Sequence, residues 1–250
     1  MTSLLALAAA DAAAQAAPRT GLEVFEKMRA AYAGRWYHSL TFVQKTTMYG
    51  KDGTVKNQTW HESLRHTAAG GTRLRIDFGD LAEGNGVIYT ADSVYVIRAG
   101  KVSSQQDHGN EFLPLIEGVY VQPAERTARE LAGMKVDLGK VTSGSWHGRP
   151  AWVIGAAPDD ATVPQIWIDR ERLVVVRMLL QLGPAQPLMD VDLGTYVKAG
   201  GGWLATKVAM TVAGKPQQTE EYSGWKVNPE LSPDLFEATK WTTAPHWVKK

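Results

Sequence analysis

At 250 residues, with 44% apolar and 21% charged residues and a formal net charge of +1, the chain has an ordinary globular composition and the length of one large domain or two small ones. That charge balance excludes a nucleic-acid surface built on clustered Lys and Arg. The absence of cysteine excludes disulfides, thiolate metal sites, a cysteine nucleophile and a lipid-modified N-terminal cysteine.

The opening stretch, MTSLLALAAADAAAQAAPRTG, is nearly pure Ala and Leu, and Ala14-Gln15-Ala16 has the small-x-small form of a signal-peptidase site. Residues 1–16 are therefore expected to be a signal peptide for export to the periplasm or beyond, and 17–250 a single domain. No Lys or Arg precedes Arg19 and Asp11 interrupts the apolar run, departures that a start site upstream of Met1 would explain. No other stretch approaches the ~20 apolar residues of a membrane span.

Thr20 and Glu23 form a capping-box pattern, Leu22, Phe25, Met28 and Tyr32 recur at helical spacing, and Gly34 closes an amphipathic helix. Strands follow. SLTFVQKTTMYG alternates Leu40, Phe42 and Gln44 against Thr41, Val43 and Lys45, turns at KDG and returns along TVKNQTWHESLRH. TRLRIDFGD sets Leu74, Ile76 and Phe78 on one side and Arg73, Arg75 and Asp77 on the other, the pattern of a half-wet antiparallel strand. GVIYTADSVYVIRAGKV is a hairpin turning at Ala91-Asp92-Ser93.

The middle breaks this pattern. An apolar segment from Phe112 to Ile116 is interrupted by Pro114, and a helix opens at Pro123 and stops at Gly133, where a lid could sit. Strands resume over Met134 to Thr142, RPAWVIGAA, LMDVDLGTYVKAG, GWLATKVAMTVAG and, after a turn at Gly214-Lys215-Pro216, QQTEEYSGWKV. The end, NPELSPDLFEA, offers a Ser-Pro helix start with Leu235 and Phe236 as anchors. Roughly ten or eleven short strands at this spacing predict an all-antiparallel sheet.

PQIWIDRERLVVVRMLLQLG is the unusual stretch: two strands at a charged turn, the second apolar nearly throughout, with Arg177 in its middle. Val174, Val176, Met178, Leu180 and Leu182 fall on one face; Leu173, Val175, Arg177, Leu179 and Gln181 fall on the other. The first face is the cleaner candidate for a cavity wall.

Little in the sequence carries catalytic chemistry. His61 and His66 sit five apart in a strand segment, on opposite faces, so they cannot share a metal and read as surface histidines. SGSWHGRP lacks the G-x-S-x-G spacing and reads as a turn, and Gly200-Gly201-Gly202 is a hairpin loop with no helix after it to cradle a phosphate. Asp190 and Asp192 share a strand face, Glu220 and Glu221 do not, and all four read as solvated surface. No catalytic residue, metal site or cofactor is expected.

Taken in order, these segments resemble the periplasmic outer-membrane lipoprotein carriers, LolA-like, and the wider lipoprotein-sorting group, from about Gly21 to Trp241. The likeness rests on a leading helix, Phe42-Val43-Gln44, Gly53-Thr54-Val55, the strand from Arg73 to Phe78, the hairpins GVIYTADSVYVIRAG and IWIDRERLVVVRM, and GGWLATKVAM followed by VNPELSPDLF. The carriers' lid-locking arginine has no counterpart, because the position before Arg73 reads HTAAGGT.

The resemblance implies a mainly β, α+β fold: a strongly curved antiparallel sheet forming an incomplete barrel, covered by helices as a lid over an apolar cavity for acyl chains. Its expected lining is Phe42, Leu74, Ile76, Phe78, Phe112, Leu115, Ile116, Val174, Val176, Met178 and Leu180, with Arg75 and Arg177 as headgroup contacts. The implied function is a periplasmic carrier or chaperone, a monomer holding lipid or an acylated lipoprotein, with a membrane-bound transporter or receptor as its other partner. An enzyme on the same fold would need an inward titratable cluster, for which Arg75, Asp77, Asp169 and Arg177 are the candidates. A third reading is an envelope sensor or protein-interaction module.

Overall fold

Thr20 starts the first helix, α1 (Gly21–Tyr32), by accepting a hydrogen bond from the Glu23 backbone N–H at 3.2 Å. The Glu23 carboxylate reaches back to the N–H of Arg19 at 2.7 Å, one residue earlier than a strict capping box requires. Val24, Phe25 and Met28 are wholly buried along one stripe, and Gly34, at a φ of 66°, turns the chain out of the helix. The structure, a computed structural model, describes residues 17–67, 71–181, 183 and 186–248. The expected signal peptide, and Leu182 on the expected cavity face, lie outside the described residues.

Thirteen strands follow among the described residues. The first run is β1 (Ser39–Tyr49), β2 (Val55–His66), β3 (Thr72–Phe78), β4 (Gly86–Tyr89), β5 (Val94–Arg98) and β6 (Lys101–Gln106). The second is β7 (Val141–Trp146), β8 (Arg149–Ile154), β9 (Gln165–Asp169), β10 (Val175–Leu180), β11 (Met189–Ala199), β12 (Gly202–Val212) and β13 (Lys215–Val227). All pair antiparallel in one sheet, in the order β6-β5-β4-β3-β2-β1-β13-β12-β11-β10-β9-β8-β7. Two meanders thus join along β1 and β13, and the curved sheet stays open.

β6 and β7 are consecutive in sequence yet form opposite edges, so residues 107–140 must cross between the two edges. That crossing carries α2 (Leu113–Ile116), a 3-10 turn over Gly118–Tyr120, α3 (Ala124–Glu130) and a 3-10 turn over Ala132–Met134. Pro114 does not interrupt the apolar segment as expected; it sits in the first turn of α2, where its missing N–H costs nothing. The strand expected from Met134 begins only at Val141, and SGSWHGRP is mostly the β7–β8 hairpin, with its turn at His147-Gly148. The turn expected at Gly214-Lys215-Pro216 falls at Ala213-Gly214, and Pro216 lies in β13 beside a register irregularity.

α1 and the crossing segment fill one inner half of the sheet, packing Val24, Phe25, Leu115 and Leu131 against Ile154, Ile166 and Ile168. Gly201 and Gly202 admit the chain after α1: a Cβ on Gly201 would meet the Arg35 carbonyl oxygen at 1.9 Å, and one on Gly202 the Trp36 ring at 2.7 Å.

The outer face of β3 is not half-wet. Arg75 and Asp77 are only 3% and 2% exposed, because the C-terminal segment folds over them. Ser232 caps a 3-10 turn over Pro233–Phe236, and Trp241 then lies flat on the Arg75 guanidinium at 3.7 Å. Arg75 donates to both Asp77 oxygens (2.8 and 2.7 Å), and His246 approaches Asp77 at 3.2 Å. His61 packs near Trp247 on this same face, with ring centroids 6.0 Å apart, rather than standing free at the surface. His66 is also packed away, its side chain 5% exposed beside Glu117.

Burial pushes the Asp77 carboxyl up, but the hydrogen bonds from Arg75 and His246 outweigh it and hold the group below the usual carboxylate range. The ionised pair therefore contributes stability that is present above the ordinary aspartate pKa and lost as pH falls through the lowered one. Arg75→Ala, which strands Asp77 under Trp241, is expected to cost about 3–5 kcal/mol in urea unfolding at neutral pH. The deficit should shrink in acid, once Asp77 is protonated; an Arg75→Ala loss below 1 kcal/mol would refute the buried-pair account.

Candidate functional site

The helical layer leaves the other inner half of the sheet unfilled, and a cavity of about 400 Å³ remains, within the range of small-ligand sites. Period-two alternation supplies its wall: Leu40, Phe42 and Gln44 from β1; Trp60, Glu62 and Leu64 from β2; Leu74 and Ile76 from β3. Register brings them together, since Glu62 faces Phe42 on one side and Ile76 on the other. Val191, Leu193, Leu204 and Val208 come from β11 and β12, and Phe112, Leu113 and Ile116 from the crossing segment close the space as a lid.

Of the residues expected there, Phe42, Leu74, Ile76, Phe112, Ile116 and Met178 line the cavity. Phe78 shares the face of Leu74 and Ile76 but stands past the cavity, against Trp60 at a ring-centroid distance of 4.8 Å. Leu115, Val174, Val176 and Leu180 are buried in the neighbouring core instead, because α1 and the lid already occupy that half of the sheet.

Neither arginine reaches the cavity. Arg75 lies under the C-terminal segment, and Arg177 projects from the opposite face of β10, bonded to both oxygens of Asp190 (Nε–Oδ1 2.9 Å, Nη2–Oδ2 2.6 Å). Its guanidinium lies 4.2 Å from the Trp146 ring centroid and 5.5 Å from that of Trp167. Asp192 accepts from the Trp146 indole at 3.1 Å, so Asp190 and Asp192 serve this outer cluster rather than open solvent. Asp169 is also outside the cavity, held by Arg149 at 2.6 Å. The four groups proposed for catalysis are therefore not gathered around the cavity. Among the described residues no group of three or more His, Asp or Glu could hold a metal ion.

The cavity's polar residues were not anticipated. Glu62 is 4% exposed and Glu220 is 7%, against the expectation that Glu220 is surface. Glu220 accepts from Tyr222 and Gln218, whereas Glu62 Oε1 has no hydrogen-bond partner among the described residues. Burial pushes the Glu62 carboxyl well above the usual range, and the nearby Glu220 adds to the effect. Glu220 is raised by the same burial, partly offset by the hydrogen bonds from Tyr222 and Gln218. The signal for Glu62 was present in the alternation Trp60-Glu62-Leu64, which sets it on an apolar face.

A third carboxylate ties the lid to the body. Glu117 accepts from the Tyr37 hydroxyl at 2.6 Å and the Trp36 indole at 3.2 Å, with His66 Nε2 3.4 Å away. Trp36 stacks on Tyr120 with centroids 3.7 Å apart, and Tyr120 donates to the Leu173 carbonyl at 3.1 Å. These contacts latch the lid to the body.

No known family profile matches the sequence, and no curated protein does. Solved structures do share its fold. One is a DUF1329 family protein from Desulfovibrio piger, with a TM-score of 0.59 at 12% identity over 87% of this chain and 95% of that one. A domain assigned to the outer membrane lipoprotein-sorting proteins of Vibrio parahaemolyticus gives 0.60 at 12% identity, over 88% and 97%. A LolA superfamily protein from Nitrosomonas europaea gives 0.52 at 12% identity, over 87% and 97%. The fold is LolA-like.

The raised Glu62 pKa makes the folded state bind more protons than the unfolded one, so stability falls as pH rises above the unfolded glutamate value of ~4.3. Glu62→Gln removes that loss. The variant is expected to unfold at a higher denaturant midpoint than the parent at pH 7, with the difference vanishing near pH 4. A variant less stable at pH 7 would contradict a Glu62 carboxyl raised by burial.

Proposed function

We propose that the protein is an envelope lipid-binding carrier that shelters an acyl chain in the cavity under the lid and performs no covalent chemistry on it. The observation that carries this reading is the cavity of about 400 Å³, apolar over most of its lining, formed between the two meanders and covered by Phe112, Leu113 and Ile116. Apolar contact there stabilises a bound chain by about 0.8 kcal/mol per buried CH₂. The lid is short, and its latch consists of a few hydrogen bonds and ring contacts around Glu117, each worth on the order of 1 kcal/mol, so opening is affordable on binding.

The shared fold with a lipoprotein-sorting domain and a LolA superfamily protein supports lipid or an acylated lipoprotein as cargo. On this reading residues 17–250 act as one monomeric periplasmic domain, delivered by the 1–16 leader and exchanging cargo with a membrane-bound transporter or receptor. No helix among the described residues is long and apolar enough to cross a membrane. The placement of Arg75, Asp77, Asp169 and Arg177 off the cavity weighs against the enzymatic alternative.

Protein made in its native compartment, extracted with organic solvent and examined by mass spectrometry, is expected to yield a bound acyl compound. Ala205→Trp, which projects an indole into the cavity from β12, is expected to weaken a fluorescent acyl probe at least tenfold. Protein that is consistently empty and ignores such probes would overturn the proposal.

A further inference from the structure

The carrier reading explains an apolar cavity but not two carboxyl groups inside it. Glu62 projects from the middle of the sheet wall with Oε1 unpartnered among the described residues, and Glu220 lines the same cavity and adds to the pressure against ionising Glu62. A core built only for packing gains nothing from an unmet carboxyl, whose desolvation goes uncompensated. The surrounding polar groups are biased the same way. Gln44 gives amide N–H groups to Thr46 Oγ1 at 2.8 Å and to Glu220, and Gln218 gives its own to Glu220, so both spend their donors on neighbouring side chains. The aromatic rings of Phe42 and Tyr222, 5.5 Å apart, and of Trp60 and Trp225 add π-electron surface.

Resting on the carrier reading, we propose that Glu62 and Glu220 form a subsite for the ammonium group of an otherwise apolar ligand. A primary ammonium supplies N–H donors to the unmet Glu62 oxygen and to the acceptor-rich wall around it, and the rings favour a cation. An anionic head would meet two acidic groups, and a hydroxyl would satisfy one acceptor and neutralise nothing. Glu62 enters the complex by losing its proton to solvent: the carboxylic acid and the alkylammonium give a carboxylate–ammonium pair and one released proton.

The titratable groups facing Glu62 are Glu220 and Tyr222 from β13 and Tyr89 from β4; Tyr196 comes from β11 and Glu117, beside His66, from the lid. No Lys, Arg or His is among the lining residues, so no cation within the cavity competes for the site. Because burial raises the Glu62 carboxyl well above the usual carboxylate range in the empty form, ammonium binding is expected to tighten as pH rises through that raised range.

Isothermal titration calorimetry of the full chain with decylamine, decanol and decanoate, in two buffers of different ionisation enthalpy, tests this. Decylamine is expected to bind at least tenfold more tightly than decanol at pH 7, with net proton release, and decanoate is expected to bind weakest. In Glu62→Gln the ratio of decylamine to decanol affinity should fall to about one and the proton release should disappear. Decanol binding as tightly as decylamine, decanoate binding most tightly, or Glu62→Gln keeping the preference would each overturn the subsite while leaving the carrier reading intact. Failure of all three ligands to bind would overturn both.

Discussion

Two strands that follow one another in the chain, β6 and β7, stand at opposite edges of a sheet that does not close. The residues between them have to travel across the open side, and a segment crossing there buries apolar side chains beneath it. Everything that defines the site follows from that connection. Leu115 and Leu131 anchor the crossing on α1 and the β8–β10 half, while Phe112, Leu113 and Ile116 hang over the half that α1 does not reach. The cavity is the space left when a helical layer of limited length covers a sheet wider than itself.

The same division explains β10, the strand apolar on nearly every position. Val176 and Leu180, with Val174 just before the strand, belong to the packed half, and Met178 reaches the cavity boundary. Its outer face is covered as well: Leu179 is 3% exposed, and Arg177 is held between Asp190 and the rings of Trp146 and Trp167. A register shift between Val175 and Arg177 also breaks the strict alternation that the two faces would otherwise follow. Greasiness on both sides therefore reflects cover on both sides, and the arginine belongs to the outer cover rather than to a ligand.

Local signals were legible where local physics decides them. The Thr20 cap, the hairpin turns, the alternation of β1 to β3 and the Ser232 cap all depend on residues within a few positions of one another. The antiparallel sheet was legible from short alternating strands with turns between them, and the curved, incomplete barrel from the resemblance in the order of the elements. Four of the expected lining residues, Phe42, Leu74, Ile76 and Met178, were legible from alternation once a concave sheet was assumed, and Phe112 and Ile116 from the apolar segment in the lid. Glu220 was hidden because Gln218, Glu220 and Tyr222 read as a polar face, and only pairing beside β1 turns that face inward. Arg75 and Asp77 misled for the converse reason: their cover comes from residues more than 150 positions away.

The sequence by itself determined the capping, the strand alternation, the single antiparallel sheet type and the absence of thiol chemistry, since each is a short-range or compositional property. Which face of each strand is covered, and by what, was decided only by tertiary structure, because burial depends on what lies opposite in space and not on what lies adjacent in the chain. PQIWIDRERLVVVRMLLQLG shows the limit plainly: its apolar pattern required cover on both faces, but only the placement of α1, Trp146 and Trp167 determined that the cover is protein. Glu62 and Glu220, more than 150 residues apart, could line one cavity only when β13 came to lie against β1.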